Sequence, residues 1–228
     1  IALLVAGIVY VSSIVRPNED RDGIWYTYKS LEPNSIDVLL TGSSKIHANI
    51  NPVVMWKNSG FTSYDISGSS MDLTTMSWYL REAFKTQHPK VVVIDILLMG
   101  NRGTTLDDIQ MRNIMDMPFG LNKLSASLSA SVNPTSREKV LFPMEQFHSR
   151  VYTIQQISRA NYLGQTFAQE SPNVFMGYRY LGASLNLKPD SEVQAFDKRL
   201  FERHYRELKK SLDFLKQQKC KVLLVNTP

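Results

Sequence analysis

Cysteine is nearly missing from this 228-residue chain. Cys220 is the single one, so an intrachain disulfide framework and a cysteine-based zinc cluster are excluded. No run of five or more lysines and arginines occurs. The net charge is only +5, from 26 basic and 21 acidic side chains, which leaves no electrostatic footprint for nucleic acid. The spacing His-x-x-x-His is absent, as are Gly-x-Gly-x-x-Gly and the phosphate-loop pattern, so neither a metal nor a cofactor is expected. Glycine (11) and proline (10) are too few for a collagenous or low-complexity chain. A composition that is 43% hydrophobic and 21% charged excludes disorder for most of the chain. What is present is a folded chain long enough to bury a full core.

Residues 1–15 are uncharged and mostly apolar, broken only by Gly7, Tyr10, Ser12 and Ser13. Charge begins at Arg16, and a polar stretch follows to Asp22. Three readings compete: a membrane anchor, a signal peptide with a weak small-residue cleavage site around Ser12, and a buried core helix. We take the first. As helix, these residues reach about 22 Å, short of the roughly 30 Å of a bilayer's hydrocarbon core, so an anchor needs residues upstream. The chain starts on Ile1 instead of Met, and it ends on an apolar run followed by Asn226, Thr227 and Pro228. It is therefore read as a piece: anchor 1–15, a linker leading into the domain over 16–35, and an α/β domain over 36–228 that is cut at its end.

Four apolar runs predict strands at 36–41, 62–66, 90–98 and 221–226. The first, third and fourth lack alternation, as expected for parallel strands covered on both faces. Helical patterns lie between them. Asn51 and Pro52 open a short one that closes near Gly60. Residues 71–87 place Leu73, Met76, Leu80, Ala83 and Phe84 on one face, and Pro89 stops them. Asp190 or Ser191 caps a long helix with Val193, Phe196, Leu200, Leu208, Leu212 and Leu215 as its stripe. This order predicts an α/β fold, a doubly wound parallel sheet with 36–41 central. Residues 104–189 are irregular, too long for a loop, and read as a partly helical insertion lying over the sheet's carboxyl edge.

In such sheets ligands bind beyond the carboxyl ends of the strands. The first strand delivers Gly42-Ser43-Ser44 there, and the second delivers Ser67-Gly68-Ser69-Ser70 at the start of a helix. Glycine permits close backbone approach, and helix N-termini offer N–H groups to an anion. Two such turns can make a serine nucleophile with an oxyanion hole, or a phosphate cradle. Loop serines are more often plain caps and turn formers.

The run Leu40-Thr41-Gly42-Ser43-Ser44, then Ser67-Gly68-Ser69, then a third strand ending near Met99-Gly100-Asn101, resembles the SGNH/GDSL hydrolase superfamily. Further likeness lies in Asn51-Pro52, Asp95, residues 115–124, Phe147-His148-Ser149-Arg150 and Gly177-Tyr178. It points to membrane-anchored SGNH-like cell-surface proteins of Gram-positive bacteria, similar to lipoteichoic-acid D-alanylation and alginate O-acetylation factors. The resemblance implies a flavodoxin-like α/β/α sandwich and a serine esterase or O-acyltransferase. It implies an envelope glycopolymer or acyl ester as substrate, a membrane-bound O-acyltransferase as partner, and a single-pass location with the domain outside the membrane. Position by position, Ser44 matches the nucleophile. Ser44, Gly68 and, more loosely, Asn101 match the oxyanion hole, although Asn101 reads equally as a loop asparagine. Ser43 stands where the family has aspartate. The family's late Asp-x-x-His does not occur in residues 1–228.

Ser43, His47, His148 and Arg150 are candidate substrate contacts. His47 follows Ser44 by three residues; its plainer reading is a solvent-exposed loop histidine. His148 and Arg150 suit an acyl group or an anionic glycan, and otherwise form a packing cluster. Asp95 is a hydrogen-bonded structural carboxylate or part of the site. His88 reads as structural and His204 as solvated. Trp25, Trp56 and Trp78 read as core or interface residues. The competing functions are a serine enzyme, a non-catalytic anchored accessory protein beside an acyltransferase, and, more weakly, a phosphate-binding domain.

Overall fold

The computed structural model describes residues 24–100, 107–118, 120–129, 175–179 and 198–226, with the isolated positions 3, 4 and 7. Four strands form one parallel sheet in the order β2-β1-β3-β4. They are β1 (Val38–Thr41), β2 (Ser63–Asp65), β3 (Val91–Asp95) and β4 (Lys221–Val225). β1 lies between β2 and β3, with Leu39 level with Tyr64 on one side and Val92 on the other. The expected α/β architecture and the internal place of the first run are therefore observed.

Helices lie between the strands as the caps dictate. The described ones are α1 (Ile24–Ser30), α2 (Ser44–Asn49), α3 (Pro52–Ser59), α4 (Leu73–Ala83), α5 (Leu97–Gly100), α6 (Asp107–Asp116), α7 (Leu121–Ser129) and α8 (Lys198–Gln217). The Asn51 carboxamide oxygen accepts the N–H groups of Val53 and Val54 at the start of α3, and Gly60 closes that helix at φ +73°. Asp72 caps α4 by accepting from Thr75 N–H at 2.6 Å.

Because side chains alternate along a strand, β1 and β3 feed two cores. Leu39, Val92 and Ile94 pack with α1, α4, α6, α7 and α8. Val38, Leu40 and Val93 pack with Ile46 of α2 and Met55 of α3. Burying each of these large side chains stabilises the fold by roughly 1.5–3 kcal/mol. The stripe predicted for α4 (Leu73, Met76, Leu80, Ala83), with Phe84 just beyond it, is buried throughout, and Leu208 and Leu215 of α8 join the same core.

Four expectations change. Residues 24–30 fall within the expected linker, yet they form α1. Trp25 and Tyr28 are buried against Tyr79 and Tyr64 in edge-to-face contacts, and the Tyr28 hydroxyl donates to the Ala83 carbonyl at 3.1 Å. The third strand stops at Asp95, because its carboxylate accepts Leu97 N–H at 2.9 Å and starts α5 instead. β4 is not covered on both faces: Leu223 is 53% and Leu224 45% exposed, and among the described residues β4 pairs with β3 alone. Trp56, expected in the core or at an interface, is 60% exposed on α3 and so lies outside the core. His204 is half-buried, with its Nδ1 3.2 Å from the Met99 carbonyl, whereas His88 holds Asn34 as a structural residue.

The described parts of the expected insertion are helical (α6, α7) or a turn at 175–179. Met111, Ile114, Met115, Met117 and Ala126 bury against α4, and the buried Lys123 ammonium donates to the Met115 carbonyl at 2.6 Å. Among the described residues no helix is long and apolar enough to cross a membrane. Of the expected anchor, only 3, 4 and 7 are described, and Leu3 and Leu4 are exposed.

Candidate active site

Strand order reverses between β1 and β3. In a parallel sheet the segments leaving their carboxyl ends diverge there and open a crevice. Ser44 is the first residue of α2, three positions beyond Thr41 and half-buried. It therefore stands at the reversal point.

Ser43, just before it, caps α2. Its backbone is extended, and its hydroxyl oxygen accepts Lys45 N–H at 3.3 Å. The same hydroxyl donates to Oδ2 of Asp95 at the end of β3. Ser43 is thus turned inward, 4% exposed, and not toward a substrate as its sequence reading proposed. Gly42 makes this reach feasible. Its φ is +144°, and a Cβ there would stand 2.6 Å from Asp95 Cβ.

The second Gly/Ser turn is clamped from two sides. Gly68 N–H donates to the Gly42 carbonyl at 3.1 Å, so the donor expected at an oxyanion is already engaged. On α6, Asn113 donates to the Ser69 carbonyl at 3.0 Å. Gln110 of the same helix donates to the Ser70 carbonyl and accepts Asp72 N–H. A Cβ on Gly68 would collide with the Asn113 side chain at 2.6 Å.

His47 is not a loop histidine. It lies in α2, is 2% exposed, and puts Nδ1 3.1 Å from the Ser67 hydroxyl. Ser67 N–H donates to Asp65 Oδ1 at 2.7 Å, and the Ser67 hydroxyl also bonds that carboxyl. Oδ2 of Asp65 finds no partner among the described residues. Burial pushes the Asp65 carboxyl up to about 7, against its hydrogen bonds from Ser67 and the nearby Arg179 charge. Burial and then Arg179 push His47 down to about 3. The segment 175–179 closes over this cluster. Met176 accepts Asp65 N–H at 2.9 Å, and Arg179 N–H donates to the His47 carbonyl at 3.3 Å.

The structure thus brings Ser43, Ser44, His47 and Gly68 together at one end of the sheet, while Asn101, His148 and Arg150 lie outside the described residues. Asp65, Arg179, Gln110 and Asn113 escaped the sequence reading. The signals available were a charged residue closing an apolar strand at Asp65 and a polar pair three apart on one face of α6. Among the described residues no cluster of histidine, cysteine and acidic groups is fit to hold a metal ion. Comparison with family models, with curated proteins and with solved structures returns no match.

Proposed function

We propose that the protein is a serine-dependent esterase or O-acyltransferase that forms an acyl-enzyme at Ser44. The observation that carries this reading is the position of Ser44, at the first turn of a helix leaving the carboxyl end of an internal strand, beside the reversal of strand order. Its hydroxyl would attack an acyl ester. Its own N–H, at the start of α2, would face the developing oxyanion. Water as acceptor gives hydrolysis and a glycan hydroxyl gives transfer. The resemblance of residues 40–44 and 67–69 to the SGNH/GDSL pattern supports the chemistry and a flavodoxin-like assignment. The uncharged stretch 1–15 supports an anchored protein acting on an envelope glycopolymer outside the membrane, beside a membrane-bound O-acyltransferase.

The attack needs a base. Among the described histidines, His47 is neutral and committed to Ser67, His88 to Asn34, and His204 to Met99. The resemblance assigns the base to a late Asp-x-x-His. A second reading, a non-catalytic accessory protein with a degenerate site, is favoured by one observation: the Gly68 N–H is taken by Gly42.

The deciding experiment is hydrolysis of p-nitrophenyl acetate and fluorophosphonate labelling of the full-length protein. Labelling mapped to Ser44, with turnover abolished in Ser44→Ala and unfolding unchanged, is expected. Full activity in Ser44→Ala, or an unreactive wild type, sinks the enzyme reading and leaves the accessory one.

A further inference from the structure

We infer that Asp95 is a positioning residue for Ser44, acting through the Ser43 hydroxyl. This deepens the Ser44 reading and rests on it.

Asp95 is fully buried at the last position of β3. Both carboxylate oxygens are engaged: Oδ2 by the Ser43 hydroxyl and Oδ1 by Leu97 N–H at 2.9 Å. Its rotamer is therefore fixed from the strand's own continuation and from the neighbouring strand's turn. Ser43 is held in the same way, donating to Asp95 and accepting from Lys45 N–H. The Gly42 carbonyl, just before Ser43, is held by Gly68 N–H. Three residues of one turn, Gly42, Ser43 and Lys45, are thus tied to β3, to the second Gly/Ser turn and to one another. Ser44 sits among them, and its hydroxyl makes no hydrogen bond among the described residues.

An ordinary serine cap needs only the N–H groups of its own helix. A buried carboxylate added as its partner carries a desolvation cost that a neutral or apolar neighbour would avoid. That cost is placed where strand order reverses and where the turn bearing Ser44 passes so close to β3 that position 42 tolerates no Cβ. Holding an attacking oxygen within a fraction of an ångström is what such a brace accomplishes; a misplacement of about 1 Å costs roughly a hundredfold in rate.

The test compares wild type, Ser44→Ala, Asp95→Ala, Asp95→Asn, Ser43→Ala and the double variant Ser43→Ala/Asp95→Ala in the full-length protein. The readouts are kcat and KM for p-nitrophenyl acetate, the fluorophosphonate labelling rate, and thermal unfolding. Asp95→Ala is expected to lower kcat and labelling by about tenfold to a hundredfold, with KM little changed. Ser43→Ala should match it, the double variant should lose no more than either alone, and Asp95→Asn, which still presents an acceptor, should recover part of the rate. A merely structural Asp95 lowers the unfolding temperature but leaves kcat of the folded protein intact; that result, or additive losses, overturns the positioning role alone. Full activity in Ser44→Ala overturns the nucleophile and this role with it. If Asp95→Ala does not fold, the contrast of Asp95→Asn with Ser43→Ala decides, and equal wild-type rates in both refute the proposal.

Discussion

His47 and Asp65 carry opposite electrical liabilities in one buried cluster. Asp65 is raised to about 7, so its contribution to stability is complete below its unfolded value near 4 and is lost as pH rises through 7. His47 is lowered to about 3, so its contribution is complete above its unfolded value near 6.5 and is lost as pH falls toward 3. Between about pH 4 and 6.5 the two slopes oppose one another. Relative to wild type, Asp65→Asn should therefore gain stability as pH rises from about 4 to 8, and His47→Gln should gain as it falls over the same range. Urea midpoints across that range check this, and differences independent of pH would refute the assignment of either group. At this scale the sequence was least informative. A histidine three residues after Ser44 reads as a loop residue, because nothing local announces that Ser67 and Arg179 will seal it. The inward turn of the Ser43 hydroxyl was hidden for the same reason: its partner, Asp95, lies 52 positions away.

Elements were legible where their signals are local. Asn51, Pro52 and Gly60 mark both ends of α3, and the apolar spacing of α4 is a property of a few turns. Asn51→Ala removes the acceptor for two N–H groups and should cost about 0.5–2 kcal/mol in chemical denaturation. A loss near zero would mean that water satisfies those donors equally well. α1 was missed because its polar lead-in outweighs a seven-residue segment bearing Ile24, Trp25 and Tyr28. The end of β3 was misread because Leu97 and Leu98 extend its apolar run, while the break comes from the Asp95 carboxylate. Segment 175–179 offers a sharper element-scale test. Gly177 has φ +90°, and a Cβ there would meet the Asp65 carbonyl oxygen at 1.9 Å. Gly177→Ala should lift this segment off the edge of β2, giving faster hydrogen exchange at Asp65 N–H and a His47 that titrates closer to its ordinary range. A variant with the wild-type His47 titration would mean that the seal over the cluster lies elsewhere.

For the molecule as a whole, the parallel sheet, its two cores and the internal place of β1 were legible in the apolar runs, and the full strand order was not. Pairing of β3 with β4 is accompanied by the packing of α8 across α4, a contact between surfaces far apart in sequence. Residues 38–95 carry three of the four described strands, joined in sequence through α2 and α3 and then through α4. β4 joins them from a great distance: the Cys220 thiol rests on the Pro89 carbonyl across 131 positions. Closing so long a loop costs entropy that must be met before the pairing contributes. The first three strands should therefore assemble early, with β4 and α8 docking onto a sheet already formed. Native-state hydrogen exchange should find β4 amides opening at lower free energy than those of β1 and β3. Uniform protection across all four strands would instead make the sheet a single cooperative unit. On the early-assembly account, the turn that presents Ser44 takes shape on a half-built sheet, with its brace on β3 in place before the last strand arrives.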